Sequence, residues 1–181
     1  MRHKLDDPVR NANPDQLYAE AADTYGAALE RLARAYEANP DRRQDLLQEI
    51  HLALWRSLEH FAQRCSLRTW VYQVAHNVAA SHVVRQQRTY AGLVSLEDME
   101  RAPVSHEGEL CVDRSTAMER LLQLIQRLKP VDRQVILSYL EGMDAASIGE
   151  ITGVSPANVA MKIHRIKSVL ARRFQKGGQH A

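Results

Sequence analysis

Cysteine, glycine and proline are scarce in this chain, and long apolar runs are absent. Its 181 residues include 8 glycines, 6 prolines and 2 cysteines, Cys65 and Cys111, which match neither a disulfide framework nor a metal-ligand spacing. No stretch approaches the roughly 18 consecutive apolar residues of a membrane-spanning helix. The first twenty residues contain four acids and no apolar block, so we expect no secretory signal. We therefore expect a cytoplasmic protein with reduced thiols and no membrane insertion.

Sequence signatures of common enzymes are missing as well. The chain contains no HExxH, no glycine-rich phosphate loop and no G-x-S-x-G, and its 8 histidines are scattered. We therefore predict that the protein is not an enzyme and that it holds no metal and no cofactor. Its function should consist of binding other macromolecules.

The formal net charge of +2 conceals a strong segregation of charge along the chain. Residues 62–88 carry 4 basic groups and no acid, and residues 151–181 carry 6 basic groups and no acid. Residues 89–124, between them, carry 3 basic and 7 acidic groups. Because acid-free basic segments are typical of nucleic-acid contacts, these two segments predict two contacts with a polyanion.

Apolar residues follow a helical period nearly throughout, and no segment alternates with the two-residue period of a strand. In the N-terminal half we predict a helix over 15–36, a second over 42–61 capped by Asp41, and a third capped by Ser66. The third has the strongest period in the chain, with an inward stripe formed by Leu67, Trp70, Val71, Val74, Ala75, Val78, Ala79 and Val83.

The C-terminal half is also predicted to be helical. Thr116 begins a capping-box pattern, Pro130 suits the first turn of the next helix, and Gly142 is a natural stop for it. The sequence therefore predicts an all-α fold of two small helical domains joined by a flexible linker. The domains and the linker span residues 15–88, 114–176 and 89–113, respectively.

The predicted C-terminal domain ends in a helix-turn-helix. A short helix over 144–152 is followed by the tight turn Gly153-Val154-Ser155 and by a longer helix. Val159, Ile163, Ile166 and Leu170 share one face of the longer helix and should pack inward. The helix start and the opposite and flanking positions form a candidate surface for the DNA major groove, namely Ser155, Asn158, Ala160, Met161, Lys162, His164 and Arg165.

Two more candidate surfaces lie in the N-terminal half. The third helix and the loop before it carry basic, amide and aromatic residues suited to an unpaired nucleic-acid strand: Gln63, Arg64, Cys65, Ser66, Arg68, Tyr72, His76, Asn77 and Arg85. Taken alone, such a polar face is more often simply solvated. The second helix has a mostly acidic and amide face that repels DNA and suits a protein partner, formed by Asp45, Gln48, Glu49 and Leu52.

Two segments of the chain resemble regions 2 and 4 of bacterial RNA polymerase sigma factors. Similarity to region 2 lies in Asp45-Leu-Leu-Gln-Glu-Ile-His-Leu-Ala-Leu-Trp55, Phe61, Leu67-Arg-Thr-Trp70 and Val74-Ala-His-Asn77. Similarity to region 4 lies in Leu128-Lys-Pro-Val-Asp-Arg-Gln-Val-Ile-Leu-Ser-Tyr-Leu-Glu-Gly142 and in the helix-turn-helix. The resemblance covers residues 18–88 and 116–174, and the order of the segments and the short chain resemble the extracytoplasmic-function group.

This resemblance implies a sigma factor that binds core RNA polymerase and directs promoter recognition and melting. Asp45, Gln48 and Glu49 match the surface that docks on the clamp helices of the largest polymerase subunit. The loop Ala62–Ser66 and the face around Asn77 match elements that capture unpaired bases of the downstream promoter element. The last helix matches the one that recognises the upstream element. The resemblance also implies an anti-sigma factor as a further partner.

The chain departs from the family pattern at several positions. His51 stands where an aromatic residue is usual, and Ser81 and His82 stand where an aspartate is frequent. Ala160 replaces a frequent lysine or arginine of the last helix, so the contact expected there is in doubt.

Two other interpretations remain open at this point. A two-domain helix-turn-helix regulator, whose first domain dimerises or senses a ligand, would bind a palindromic duplex tightly without polymerase. An adaptor that contacts only proteins is disfavoured by the absence of acids after Glu150.

Overall fold

The structure is a computed structural model that describes residues 13–86 and 114–176. Within these residues it contains seven α-helices and no strand, so the all-α prediction is confirmed. The helices are α1 (Pro14–Tyr36), α2 (Pro40–Leu58), α3 (Leu67–Gln86), α4 (Arg114–Gln126), α5 (Pro130–Leu140), α6 (Ala145–Thr152) and α7 (Pro156–Lys176). The predicted linker over 89–113 lies outside the described residues.

The boundaries of α2 differ from the prediction, whereas the start of α3 agrees with it. Asn39, rather than Asp41, caps α2, because its side-chain oxygen accepts the Arg42 amide at 3.0 Å and Pro40 follows it at the first helical position. At the start of α3 the Ser66 hydroxyl accepts the Thr69 amide at 3.0 Å, which confirms the predicted cap.

In the C-terminal half, the predicted capping box is wrong and the next two signals are correct. Helix α4 begins at Arg114, so Thr116 lies inside the helix instead of capping it. Pro130 opens α5, and Gly142 follows the helix with a φ of 77°, a left-handed conformation that glycine adopts without strain.

Each half of the chain buries an apolar core. Helices α1, α2 and α3 enclose Leu29, Leu46, Ile50 and Leu54, which are fully buried. Helices α4 to α7 enclose a second set, formed by Ile125, Leu128, Val135, Ile148, Val159 and Ile166. Burying one such side chain contributes about 1.5–3 kcal/mol.

The two cores are also packed against one another, mainly through α3. Helix α3 contacts α5 and α6, and α1 contacts α4. As a result α3 is buried on two sides: the predicted apolar stripe faces α1 and α2, while Thr69, Tyr72 and His76 are buried as well. The sequence predicts Tyr72 and His76 on a polar face suited to an unpaired strand, and the exposure expected for these two residues is wrong.

Candidate functional surfaces

The candidate protein-binding face of α2 is exposed as predicted. Asp45, Gln48, Glu49 and Leu52 all lie at the surface, and Leu52 is 47% exposed. We call these four residues the α2 surface. Trp55, one turn after Leu52, is 43% exposed and its indole Nε1 donates to Asp15 Oδ1 at 2.9 Å. Trp55 is not among the residues predicted for this surface, although its position three residues after Leu52 places it on the same side of the helix.

An ion pair connects the α2 surface to the end of α3. The Arg85 guanidinium donates to Glu49, and both side chains are about half exposed. Such an exposed pair adds about 0–1 kcal/mol to stability. Its effect is therefore mainly to orient Arg85, a predicted nucleic-acid ligand, beside the α2 surface.

The loop before α3 presents polar side chains to solvent. Gln63, Arg64 and Ser66 are exposed, and Gln63 has a φ of 55° in the left-handed region, a conformation that costs a non-glycine residue about 1 kcal/mol. Cys65 is half-buried, and burial, followed by the charge of Glu150 in α6, raises the pKa of its thiol. The thiol is therefore protonated at neutral pH.

The predicted strand-binding residues of α3 fall into two groups. Asn77 and Arg85 are exposed, together with the loop. Tyr72 and His76, in contrast, are only 2% and 0% exposed. Tyr72 packs against Tyr25 of α1 and donates to Glu141, and His76 lies between Tyr36 of α1 and Ser138 of α5. Arg68 belongs to the covered group, since its guanidinium donates to the backbone carbonyl of Glu141 at the end of α5.

Glu141 is the centre of this contact between the two halves. Its carboxylate accepts hydrogen bonds from Nε and Nη2 of Arg31, both at 2.8 Å, and from the Tyr72 hydroxyl at 3.3 Å. The hydrogen bond and charge of Arg31 lower the pKa of Glu141, although partial burial opposes the shift. Burial, and then the charge of Glu141, raises the pKa of Tyr72 to about 12. At neutral pH the acceptor is therefore ionised and its donors are protonated.

His76 forms a second polar bridge between the halves. Its Nδ1 lies 3.1 Å from the Tyr36 hydroxyl of α1, and its Nε2 lies 3.1 Å from the Ser138 hydroxyl of α5. Burial lowers the pKa of the imidazole to about 3, so the ring is neutral and can donate from one nitrogen and accept at the other. Arg133 of α5 adds a cation–π contact, with its guanidinium carbon 4.9 Å from the centre of the Tyr36 ring.

The residues that bond across this interface could not be identified from the sequence. Arg133, Ser138 and Glu141 lie in the segment that resembles region 4, but neither that resemblance nor a local pattern indicates that they bond α1 and α3. The bonded groups are 62 to 110 residues apart. Long-range pairing of this kind leaves no periodic signal in a single sequence.

Helices α6 and α7 form the predicted helix-turn-helix. The Asp144 carboxylate accepts the Ser147 amide at 2.8 Å and so caps α6. Gly153 ends α6 with a φ of 72°. A Cβ on Gly149 would lie 2.7 Å from the carbonyl oxygen of Val154, so only glycine permits this approach of the turn to α6.

Helix α7 divides into buried and exposed faces as the sequence predicts. Val159, Ile166 and Leu170 are buried, and Ile163 packs at the edge of the core. The candidate DNA-binding positions that lie at the surface are Ser155, Asn158, Ala160, Met161, His164 and Arg165. Met161 is the most exposed large apolar residue described, at 64%.

Lys162 differs from the rest of the candidate face of α7. Its ammonium lies 2.7 Å from Asp132 Oδ1 of α5, and its side chain is 39% exposed. The lysine therefore orients α7 on α5 as well as contributing positive charge beside the exposed face. None of the helices in the described parts of the chain is long and apolar enough to cross a membrane.

Comparison with known proteins gives the same two segments. The model of sigma-70 region 2 matches residues 21–89, and the model of sigma-70 region 4 matches residues 118–170. The RNA polymerase sigma factor CarQ of Myxococcus xanthus is 31% identical over 153 residues, covering 83% of each chain. The ECF RNA polymerase sigma factor SigW of Bacillus subtilis is 21% identical over 178 residues, covering 92% of this chain and 93% of the relative.

Two solved structures share the fold. CnrH, in complex with the cytosolic domain of CnrY, has a TM-score of 0.64 and 18% identity, over 91% of both chains. The sigma factor RpoE of Bartonella quintana, in complex with the anti-sigma factor NepR, has a TM-score of 0.65 and 15% identity, over 87% of this chain and 96% of that one. With the family matches and the identity to CarQ, the chain belongs to the extracytoplasmic-function group of sigma-70 family RNA polymerase sigma factors.

Proposed function

We propose that this sigma factor divides its work among three surfaces, each on a different helix. As a member of its family, the chain binds core RNA polymerase and directs promoter-specific initiation of transcription. The assignment of these surfaces rests on where the acidic residues lie. The α2 surface is acidic and exposed, whereas the exposed face of α7 carries no acid.

The α2 surface is the proposed docking site for polymerase. Its carboxylates repel DNA and suit a basic protein surface, while Leu52 and Trp55 offer apolar area that a partner would bury. Docking on this surface leaves α7 on another part of the molecule available for DNA.

The exposed face of α7 is the proposed site for the upstream promoter element. The helix begins directly after the turn, so its free amides can meet a phosphate while His164 and Arg165 face a groove. The small side chain of Ala160 permits close approach to DNA but supplies no charge.

The loop over 62–66 and Asn77 are the proposed site for unpaired bases of the downstream element. Taking a base out of the stack costs a few kcal/mol, which pocket contacts and stacking can offset. On this proposal residues 15–88 form the domain for polymerase and the downstream element, and residues 114–176 form the domain for the upstream element. The linker between them spans 89–113.

We further propose that the chain has no enzymatic activity and acts in the cytoplasm, where polymerase is found. Family members are not enzymes in general, and the activity described above requires binding alone. The solved structure of RpoE contains the anti-sigma factor NepR, and that of CnrH contains the cytosolic domain of CnrY. We therefore propose an anti-sigma factor as a partner of this chain too.

Co-purification with core polymerase tests the docking surface. Gln48→Ala with Glu49→Lys should abolish co-purification, while a control with the same changes at exposed positions of α4, Gln123→Ala with Glu119→Lys, should retain it. Circular dichroism should show equal helicity, because surface substitutions usually change stability by within about 0.5 kcal/mol. Full retention of polymerase by the folded α2 variant would refute the assignment.

A further inference from the structure

The face of α3 assigned to single-stranded DNA is partly occupied by the C-terminal domain of the same chain. Tyr72 and His76 are almost completely buried there, and Arg68 is bonded to the end of α5. In this arrangement an unpaired strand can reach Asn77 and the loop over 62–66 but cannot reach Tyr72.

The group that occupies this face is an anion. The Glu141 carboxylate is held by two nitrogens of Arg31 at 2.8 Å and by the Tyr72 hydroxyl at 3.3 Å, beside Arg68. Two guanidinium groups and a phenol are also the donors that bind a phosphate, because Arg forms bidentate bonds with carboxylate and phosphate alike. Among the residues that the structure describes, Arg31 pairs with no carboxylate other than Glu141, and Arg68 bonds the backbone carbonyl of the same residue.

We propose that the chain is autoinhibited: its C-terminal domain closes over α3, and the Glu141 carboxylate occupies a site that takes a backbone phosphate of the unpaired promoter strand when the domains separate. The inference rests on the proposed function of α3 and adds Arg31 of α1 as a phosphate ligand. The α2 surface stays exposed in the closed form. Polymerase can therefore dock before the domains separate.

Distance measurement tests closure without DNA or polymerase. Nitroxide labels at Glu20→Cys in α1 and Ser168→Cys in α7, both exposed positions, would report domain separation by electron–electron double resonance after Cys65→Ser and Cys111→Ser. Wild type should give one narrow distance. Glu141→Ala should lower the ratio of closed to open molecules by at least about tenfold, as expected for loss of charged hydrogen bonds, and should give longer, broader distances.

A matched control and a charge reversal make this test specific. Glu119→Ala on the exposed side of α4 should leave the distance unchanged. Arg31→Glu should open the chain, and Arg31→Glu with Glu141→Arg should close it again in part, because the pair is restored in reverse. A broad distribution in the wild type would overturn closure. An unchanged distance in both single variants would overturn the proposal that the Glu141 carboxylate holds the domains closed.

Binding of a fluorescein-labelled, mixed-sequence single strand tests the phosphate site. Glu141→Ala should bind it about tenfold more tightly than wild type, since a larger fraction of molecules is open. Arg31→Ala in the Glu141→Ala background should lose that gain, whereas an Arg31 that serves only to close the domains would leave the gain intact and overturn the phosphate assignment. Co-purification of the same variants with polymerase is measured separately. Loss of co-purification would count against the proposed function and not against closure of the domains.

Discussion

Acidification should destabilise this protein through His76 at a pH well above the range in which carboxylates titrate. The ring is fully buried between Tyr36 and Ser138, with Tyr72 beside it, and its pKa is about 3 instead of the ordinary 6.5. The folded protein therefore keeps the ring neutral while the unfolded chain takes up a proton below pH 6.5. Folding stability is fully present above that pH and falls as the pH decreases from 6.5 towards 3.

The expected loss is large on the scale of protein stability. Each pH unit between the two pKa values costs about 1.4 kcal/mol, so the loss from pH 6.5 to 4.5 is about 3 kcal/mol. Three carboxylates with lowered pKa values, those of Glu37, Glu141 and the exposed Asp144, add to this loss of stability only below about pH 4.5. Burial raises the pKa of Glu37, but hydrogen bonds from His82 and the Asn39 amide outweigh it, and the pKa of Glu141 is lowered by Arg31.

Urea unfolding followed by circular dichroism between pH 7.5 and 4.5 measures this effect. His76→Gln is the informative variant, because glutamine offers a donor and an acceptor but does not titrate. It should be less stable than wild type at pH 7.5 and should lose about 3 kcal/mol less on acidification. If the free energy of unfolding changed with pH equally in the two proteins, buried neutral His76 would not be the cause of the loss. The comparison uses the change with pH, so it remains valid even if the variant is much less stable than the wild type.

Three further predictions concern the DNA-binding surfaces. Gly149→Ala should weaken upstream-element binding in gel-shift assays with polymerase while leaving polymerase co-purification intact, because its Cβ would collide with the turn before α7; unchanged DNA binding would contradict this. Arg165→Ala should cost about 1–3 kcal/mol of duplex binding free energy and relax the sequence preference. Lys162→Ala should cost less, because Asp132 already neutralises the lysine. Normal transcription by both variants at every salt concentration would exclude α7 as the recognition helix. Replacing the loop over 62–66 should change the accepted downstream element, measured by 2-aminopurine fluorescence, and an equal unstacking signal with unchanged preference would exclude a base pocket there.

The sequence predicts those features that depend on neighbouring residues. The exposed and buried faces of α7 follow from its helical period, and the cap at Ser66 follows from a side chain that bonds the amide three residues later. The predicted cap of α2 at Asp41 is wrong, because Asn39 suits a cap equally well. Only the observed hydrogen bond from the Arg42 amide to Asn39 decides between them.

The closed contact between the domains could not be predicted in this way. Arg68, Tyr72 and His76 are polar, so periodicity places them at the surface of an isolated three-helix domain. Tyr72 and His76 are buried and Arg68 is half-buried, because partners more than 60 residues away bond to them, as Ser138 does for His76 and Glu141 does for Tyr72. Burial of a polar group depends on such a partner, which the surrounding sequence does not reveal.

Reconstituted run-off transcription tests the central claim most directly. Purified core RNA polymerase would be supplied with this chain and a pool of genomic promoter fragments, and the transcripts sequenced. The account predicts initiation at a restricted set of promoters that core polymerase alone does not use, and its loss with Gln48→Ala and Glu49→Lys. Transcripts no different from those of core polymerase alone, together with tight polymerase-free binding to a palindromic duplex, would contradict it.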